Sequence, residues 1–297
     1  MALTGCPSGC SRKHLAMIPL TDVFEAILTG SAKWAKKNIR RWAFRHLNRD
    51  VVETGACTEC GTCVSVCPDD ALTLSKGRGG YIPQLVGKCT GCGLCYEFCP
   101  RTPSGDSGLI GPRVAVLKAR VRAEHQGQNG GVVSTLLESL LADSVVDAVV
   151  AVMPSESDRW TPSAQVFTNR EDVLRSAGTI YGHAAIVAKV MEAVAQGHRR
   201  IAVVGTPCVI DALARLESHP AGPLKREHGF ELLKIGLFCM ECFERTRLEQ
   251  FLLEHGVDIG SVEKMDISSG VFRVTTDGDV REWPVSELDC AASESCK

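Results

Sequence analysis

Eight cysteines, written twice to one spacing, constrain this chain more than anything else in it. Cys57, Cys60, Cys63 and Cys67-Pro68 form one run, and Cys89, Cys92, Cys95 and Cys99-Pro100 the other, each cysteine 32 residues after its counterpart. Both read C-x2-C-x2-C-x3-C-P, a ligand spacing of [4Fe–4S] clusters. Three thiolates two residues apart wrap a tight loop around three irons, and the loop amides stay free to hydrogen-bond the sulfides. Gly61, Gly91 and Gly93 admit the positive φ that such loops need. Pro68 and Pro100 turn the chain away after each fourth ligand. Zinc sites show paired C-x2-C units rather than a four-cysteine run closed by proline. The chemistry implied is one-electron transfer.

In two-cluster ferredoxins the fourth cysteine of each run ligates the other cluster. Cys57, Cys60, Cys63 and Cys99 therefore form one expected ligand set, and Cys89, Cys92, Cys95 and Cys67 the second. With 297 residues there is room for a small cluster domain and a larger one. A formal charge of −2 gives no global basic field for nucleic acid. Clusters need reduced thiolates, which favours the cytoplasm even with 15 cysteines in the chain. No stretch reaches the roughly 20 apolar residues of a membrane helix. The most apolar run, Val145 to Met153, is broken by Asp147, and no apolar core follows the Arg40-Arg41 pair, so an export signal is not expected.

Residues 1–50 read as an extension. Asp22 and Glu25 suggest a capping box for a short helix over Val23 to Leu28, and a basic helix is expected from Ala32 to Leu47. Its cationic face suits an acidic partner subunit or a peripheral membrane contact, or is a solvated face of a helix packed on its own protein. Cys6 and Cys10 are metal ligands or spare thiols. The cluster domain occupies 51–112, with a short strand expected over Ala71 to Leu74.

From 113 to 297 helical and strand patterns alternate, the signature of a three-layer α/β domain. Helices are expected over 132–141, 185–195 and 209–216, and strands over Val145 to Val152, Ile201 to Val204 and Leu232 to Phe238. Thr246 with Glu249 suggests a capped helix to His255, and Val271 to Thr276 a hairpin turning at Asp277-Gly278. The fold class is thus an α+β ferredoxin-like two-cluster domain followed by a larger α/β domain.

Three stretches of the second domain can carry chemistry. Gln128-Asn129-Gly130-Gly131 opens a helix, either as a phosphate cradle or with Asn129 as a plain N-cap. Gly205-Thr206-Pro207-Cys208 ends a strand and starts a helix, where open α/β sheets bind ligands. Cys239 and Cys242 end the next strand, with Cys290 and Cys296 further on. Cys208 alone reads as a core residue; with the others it suggests a third cluster.

These stretches, with Ser176 to Tyr181 and Gly236 to Met240, resemble the family of coenzyme F420 hydrogenase/dehydrogenase beta subunits. The resemblance covers about 113–297 and rests on the order of the motifs. It implies an FAD protein that moves electrons between coenzyme F420 and a [4Fe–4S] cluster, within a complex of redox subunits. It implies flavin contacts from Asn129, Gly130, Gly131, Ser134, Gly178, Thr179, Tyr181, Gly205, Thr206 and Pro207, which makes the second domain flavin-binding. It also implies that Cys208, Cys239 and Cys296 ligate a third cluster. Ile180 stands where many members carry a lysine, and the family's next cysteine falls beyond Lys297, so the third cluster lacks a ligand unless Cys242 or Cys290 substitutes or the sequence continues past Lys297. No catalytic acid or base is expected, because hydride transfer needs orientation more than proton transfer. The alternatives are an electron-transfer subunit without a substrate site, and a flavin and iron–sulfur reductase of another substrate.

Overall fold

The computed structural model describes residues 43–77, 80–104 and 131–296, with residues 115, 117, 119 and 121. The expected helix over Val23 to Leu28, most of the basic helix, Cys6, Cys10, Asn129 and Gly130 lie outside these residues. Trp42–Lys297 forms one compact unit.

The cysteine repeat folds as two similar halves. Helix α1 (Phe44–Leu47) runs into a π-helical turn, Asn48–Val52, and buries Phe44, Leu47 and Val51. Each three-cysteine loop then feeds a one-turn helix, α2 (Thr62–Ser65) or α3 (Leu94–Glu97). Both begin on a left-handed glycine, Gly61 at φ 84° and Gly93 at φ 83°, as the loop chemistry requires. Between the halves, β1 (Leu72–Lys76) and β2 (Tyr81–Leu85) pair antiparallel, Leu72 against Leu85 and Lys76 against Tyr81. The strand expected at 71–74 is thus one arm of a hairpin. The segment 43–52 belongs to this unit: Phe44, Leu47 and Val51 share a core with Cys63, Cys95 and Cys99.

The following helix, α4 (Val132–Ala142), leads to a four-stranded sheet. Its strands are β3 (Ala148–Pro154), β4 (Pro162–Phe167), β5 (Arg200–Gly205) and β6 (Glu231–Gly236), in the order β4-β3-β5-β6. β3, β5 and β6 are parallel, and β4 is antiparallel to β3. Side chains alternate between the faces, as the two-residue period of a strand dictates. Ala148, Val150, Ile201 and Val203 face α6 (Ile186–Ala195) and α7 (Pro207–Ser218), whereas Val149, Ala151 and Ala202 face α4 and α5 (Arg170–Leu174). The three expected layers are present. Cys60, Val66 and Phe98 of the cluster unit pack into the α6–α7 layer.

An antiparallel meander follows, β7 (Val262–Ser268), β8 (Val271–Thr276) and β9 (Asp279–Pro284), and after it come 3-10 turns at Val285–Cys290 and Glu294–Cys296. The expected turn forms at Asp277 and Gly278, with φ 45° and 83°. The last helix, Arg245–Glu254, covers this sheet with Phe251 and Leu252. Its cap differs from the expected box. Glu244 is the N-cap residue, its N–H fixed to the Ala291 carbonyl at 2.9 Å. Glu249 instead pairs with Arg245 at 2.9 Å. β6 also stops at Gly236, two residues short of the expected Phe238, and the chain leaves the sheet as a loop carrying Cys239 and Cys242.

Candidate functional site

Two thiol groups face two cavities in the cluster unit. Cys57, Cys60, Cys63 and Cys99 line a space of about 350 Å3 together with Leu47 and Val51. Cys67, Cys89, Cys92 and Cys95 line a second space of about 310 Å3 with Phe44 and Leu85. Each group takes three cysteines from one loop and the fourth from the other half, the interleaving anticipated from the repeat. The donors fit iron. Burial pushes the Cys57, Cys95 and Cys99 thiols up to about 12, and neighbouring cysteines add to the shift. Four thiolates crowded into low dielectric repel one another unless a cation compensates them. Secondary bonds orient the sulfurs: the Ala71 N–H donates to Cys67 Sγ at 3.3 Å, and Cys60 Sγ lies 3.1 Å from Thr62 Oγ1.

The halves are not equivalent. Glu59, in the first loop, has φ 56° where the matching residue of the second is Gly91 at φ 71°. A left-handed glutamate is costly, and here its carboxylate accepts the Tyr81 N–H at 2.8 Å. Burial pushes that carboxyl up from its ordinary value.

A third thiol group lies where β5 and β6 end side by side, with Gly205 paired to Gly236. Gly205 allows Val209 to close over the strand end; a Cβ there would lie 2.7 Å from Val209 Cγ1. Thr206 is the N-cap of α7 and Pro207 its first residue, so Cys208 sits in the first helical turn, Sγ 3.2 Å from Thr206 Oγ1. Cys208 is close enough to Cys60 and Cys239 for their charges to raise its thiol pKa, although burial is the larger cause. The loop after β6 brings Cys239 and Cys242 to Cys296, whose Sγ accepts the Cys242 N–H at 3.3 Å. His183 Nε2 stands 3.9 Å from Cys296 Sγ and 2.8 Å from Ser295 Oγ. The ligand atoms of His183, Cys242 and Cys296 all lie within 4.8 Å of one another.

Sharing protons splits this group. Hydrogen bonding from Cys242 holds Cys239 down to about 7, and Cys296 down to about 3 with further help from His183. Cys242, the donor to both, is pushed up. Cysteine sulfurs beside an imidazole make a soft metal site. Cys290 stays apart and exposed, its Sγ 3.6 Å from the Glu287 carbonyl. Of the two spare cysteines, Cys242 is therefore the one brought to Cys296. Its C-x2-C spacing from Cys239 is the signal that could have picked it.

The remaining predicted positions are spread over three elements. Gly131 is the left-handed N-cap of α4, φ 67°, with Ser134 half-buried in its first turn. Gly178 is exposed at φ 130° with nothing within 4 Å of a Cβ, and Thr179 is half-buried beside it. Tyr181 turns inward: its hydroxyl accepts the Ile267 N–H at 2.8 Å and its ring lies 6.0 Å from that of Phe243. Pro207 is exposed and Thr206 half-buried. Among the described residues, no helix is long and apolar enough to cross a membrane.

Comparison with known proteins covers nearly all of this unit. Residues 49–101 match the 4Fe-4S dicluster domain. Residues 116–192 and 198–297 match the N-terminal and C-terminal parts of the coenzyme F420 hydrogenase/dehydrogenase beta subunit. One of the subunits of the F(420)H(2) dehydrogenase of Methanosarcina mazei is 32% identical over 83% of this chain and 72% of its own length. The coenzyme F420-dependent sulfite reductase of Methanocaldococcus jannaschii is 32% identical over 84% of this chain, which spans 41% of that protein. Among solved structures, a chain of the F420-reducing [NiFe] hydrogenase complex from Methanosarcina barkeri superimposes with a TM-score of 0.51 at 28% identity. That match covers 56% of this chain and 57% of the other.

Proposed function

The chain belongs to the family of coenzyme F420 hydrogenase/dehydrogenase beta subunits, and from that premise we propose that it passes electrons between coenzyme F420 and iron–sulfur clusters leading to a partner redox subunit. The adjacency of three thiol groups within one compact unit carries this reading. Cys57, Cys60, Cys63 and Cys99 would hold one [4Fe–4S] cluster, and Cys67, Cys89, Cys92 and Cys95 another. Cys208, Cys239 and Cys296 would hold a third, with Cys242 in reach as a further ligand. Cys208 feels the charges of both Cys60 and Cys239, so clusters held by the third group and the first would be consecutive stations for an electron.

An FAD would sit against Asn129, Gly130, Gly131, Ser134, the Gly178, Thr179 and Tyr181 stretch, and Gly205 to Pro207. Thr135 Oγ1, one turn into α4, is buried without a hydrogen-bond partner among the described residues, which supports a polar ligand at that helix start. When bound, the flavin supplies the exchange between a two-electron hydride carrier and one-electron clusters. The residues around it orient the reactants and exclude water, and none is required as a general acid or base.

A second reading, a flavin and iron–sulfur reductase of a substrate other than coenzyme F420, is favoured by Ile180, which stands where many members of the family carry a lysine. Anaerobic purification followed by iron, sulfide and flavin analysis, and then reduced coenzyme F420 with a viologen acceptor, separates the two. Turnover supports the first; flavin and clusters without coenzyme F420 turnover support the second. Absence of flavin would refute both and leave a plain electron-transfer subunit.

A further inference from the structure

The repeat is symmetrical in its cysteines and unsymmetrical in the charges behind them. Cys67-Pro68 is followed by Asp69 and Asp70, whereas Cys99-Pro100 is followed by Arg101 and Thr102. The tertiary fold widens this difference with a residue more than a hundred positions away. Arg215 reaches from α7 to the loop after the first group's fourth ligand. Its Nη1 donates to the carbonyls of Cys99 at 2.8 Å, Ser104 at 2.9 Å and Thr102 at 3.3 Å. Its Nη2 pairs with Asp211 at 3.1 Å, and the two side chains are only 11% and 7% exposed. The cation therefore faces the cysteine loop while its counter-charge lies behind it. Burial leaves that charge poorly screened.

The second group has the opposite surroundings. Asp69 accepts from Thr90 Oγ1 at 2.5 Å, which fixes a carboxylate against the Cys89–Cys92 loop. The acids near the first group are engaged by other partners: the Glu59 carboxylate accepts the Tyr81 N–H at 2.8 Å, and Glu97 lies 3.7 Å from His219 Nε2.

We propose that Arg215 is a positioning residue that anchors the loop after Cys99 and raises the reduction potential of the Cys57–Cys60–Cys63–Cys99 cluster above that of its twin. The proposal rests on the reading that both groups hold clusters. Nearby charge and hydrogen bonding are what set cluster potentials. One electron from an external one-electron donor then settles on the cluster beside Cys208, with no bond made or broken. The repeat becomes a directional pair.

The test is an anaerobic redox titration of the full chain followed by electron paramagnetic resonance, after iron and sulfide analysis. Fewer than eight irons in the native chain would overturn the cluster reading itself rather than this asymmetry. Any signal of the third group is identified by its loss in Cys296→Ser. In Arg215→Met the higher of the two remaining steps should fall by about tenfold in its equilibrium constant, ~59 mV for a one-electron couple, with the other step unmoved. Arg215→Lys keeps the charge without the planar fork and should recover most of the shift. Asp69→Asn should raise only the lower step. Should Arg215→Met fail to retain iron, Asp211→Asn decides, since loss of the counter-charge should raise the upper step. Coincident steps in the native chain would overturn the proposal. So would unmoved midpoints in both Arg215→Met and Asp211→Asn, or a shift in the step that Asp69→Asn moves.

Discussion

Replacing Gly61 by alanine tests how firmly the cluster unit is seated on the α/β layers. Two penalties meet at this position. Gly61 has φ +84°, and an L-residue in the left-handed region costs about 1–2 kcal/mol. A Cβ there would also lie 2.6 Å from the Cβ of Ala188 and 3.3 Å from its backbone nitrogen. Ala188 cannot rotate away, because its Cβ is fixed by helix α6. The same seam is tied by the Val187 and Ala188 N–H groups, which donate to the Cys60 carbonyl at 3.0 and 3.3 Å. Overpacking of this kind costs about 1–3 kcal/mol. Gly61→Ala should therefore destabilise by about 2–5 kcal/mol, a large part of the 5–15 kcal/mol of a typical domain. Gly91 provides the control, at φ +71° with nothing within 4 Å of a Cβ, so Gly91→Ala should cost only the conformational 1–2 kcal/mol. Anaerobic urea titration followed by circular dichroism reads both. The double variant Gly61→Ala/Ala188→Gly should recover part of the loss, less about 1 kcal/mol for a helical glycine. Equal losses in the two single variants, with no coupling to position 188, would refute the packing argument.

Four other outcomes are expected. A chain starting at residue 42 should retain iron in both cluster sites, whereas one starting at 51 loses buried Phe44 and Leu47, each worth about 2–5 kcal/mol, and should lose iron from both; equal iron content refutes this. Tyr181→Phe leaves the Ile267 N–H without its acceptor and should lower stability by about 1–3 kcal/mol, read as a lower thermal midpoint. In a reduced, cluster-free chain at pH 7, the first equivalent of cobalt(II) should go to Cys296 and Cys239, already thiolate-rich at about 3 and about 7; Cys296→Ser should abolish the charge-transfer band and Cys290→Ser leave it. In the same chain, Cys57, Cys95 and Cys99 are raised from 9.0 to about 12. Raised thiols stabilise the fold fully below pH 9.0, and that stability is lost as pH rises towards 12. The urea midpoint should therefore fall through this range, less steeply in Cys57→Ser, and a flat profile would count against the shifts.

Much of the first two sites was legible because their geometry is local. A C-x2-C-x2-C loop must close on itself within a few residues, and Gly61, Gly91 and Gly93 take the positive φ that closure demands. Continuous apolar runs such as 148–151 and 201–203 likewise named the strands of a three-layer sheet, since burial on both faces leaves no polar alternation. β2, β4 and β7 were not legible. Gln, Glu, Lys and Asp interrupt them, and they are held by pairing with a neighbour rather than by their own pattern. The end of β6 was misjudged for a related reason: Leu237 and Phe238 are apolar, yet they lie in an exposed loop beyond the last ladder pair at Gly236.

What the sequence determined by itself is therefore the chemistry: eight thiolates at a spacing that fits two clusters, and motifs whose order marks a family. What only the tertiary structure decided is which distant groups meet. His183, the loop of Cys239 and Cys242, and the turn of Cys296 are three separate segments that converge beyond the ends of β5 and β6, and Cys290, no less apt by composition, is left outside. Arg215 carries no motif at all, yet the packing of α7 against the cluster unit puts its cation on the Cys99 carbonyl. Contacts over a hundred residues apart depend on how layers stack, and layer stacking follows from summed burial across the whole core rather than from any local spacing.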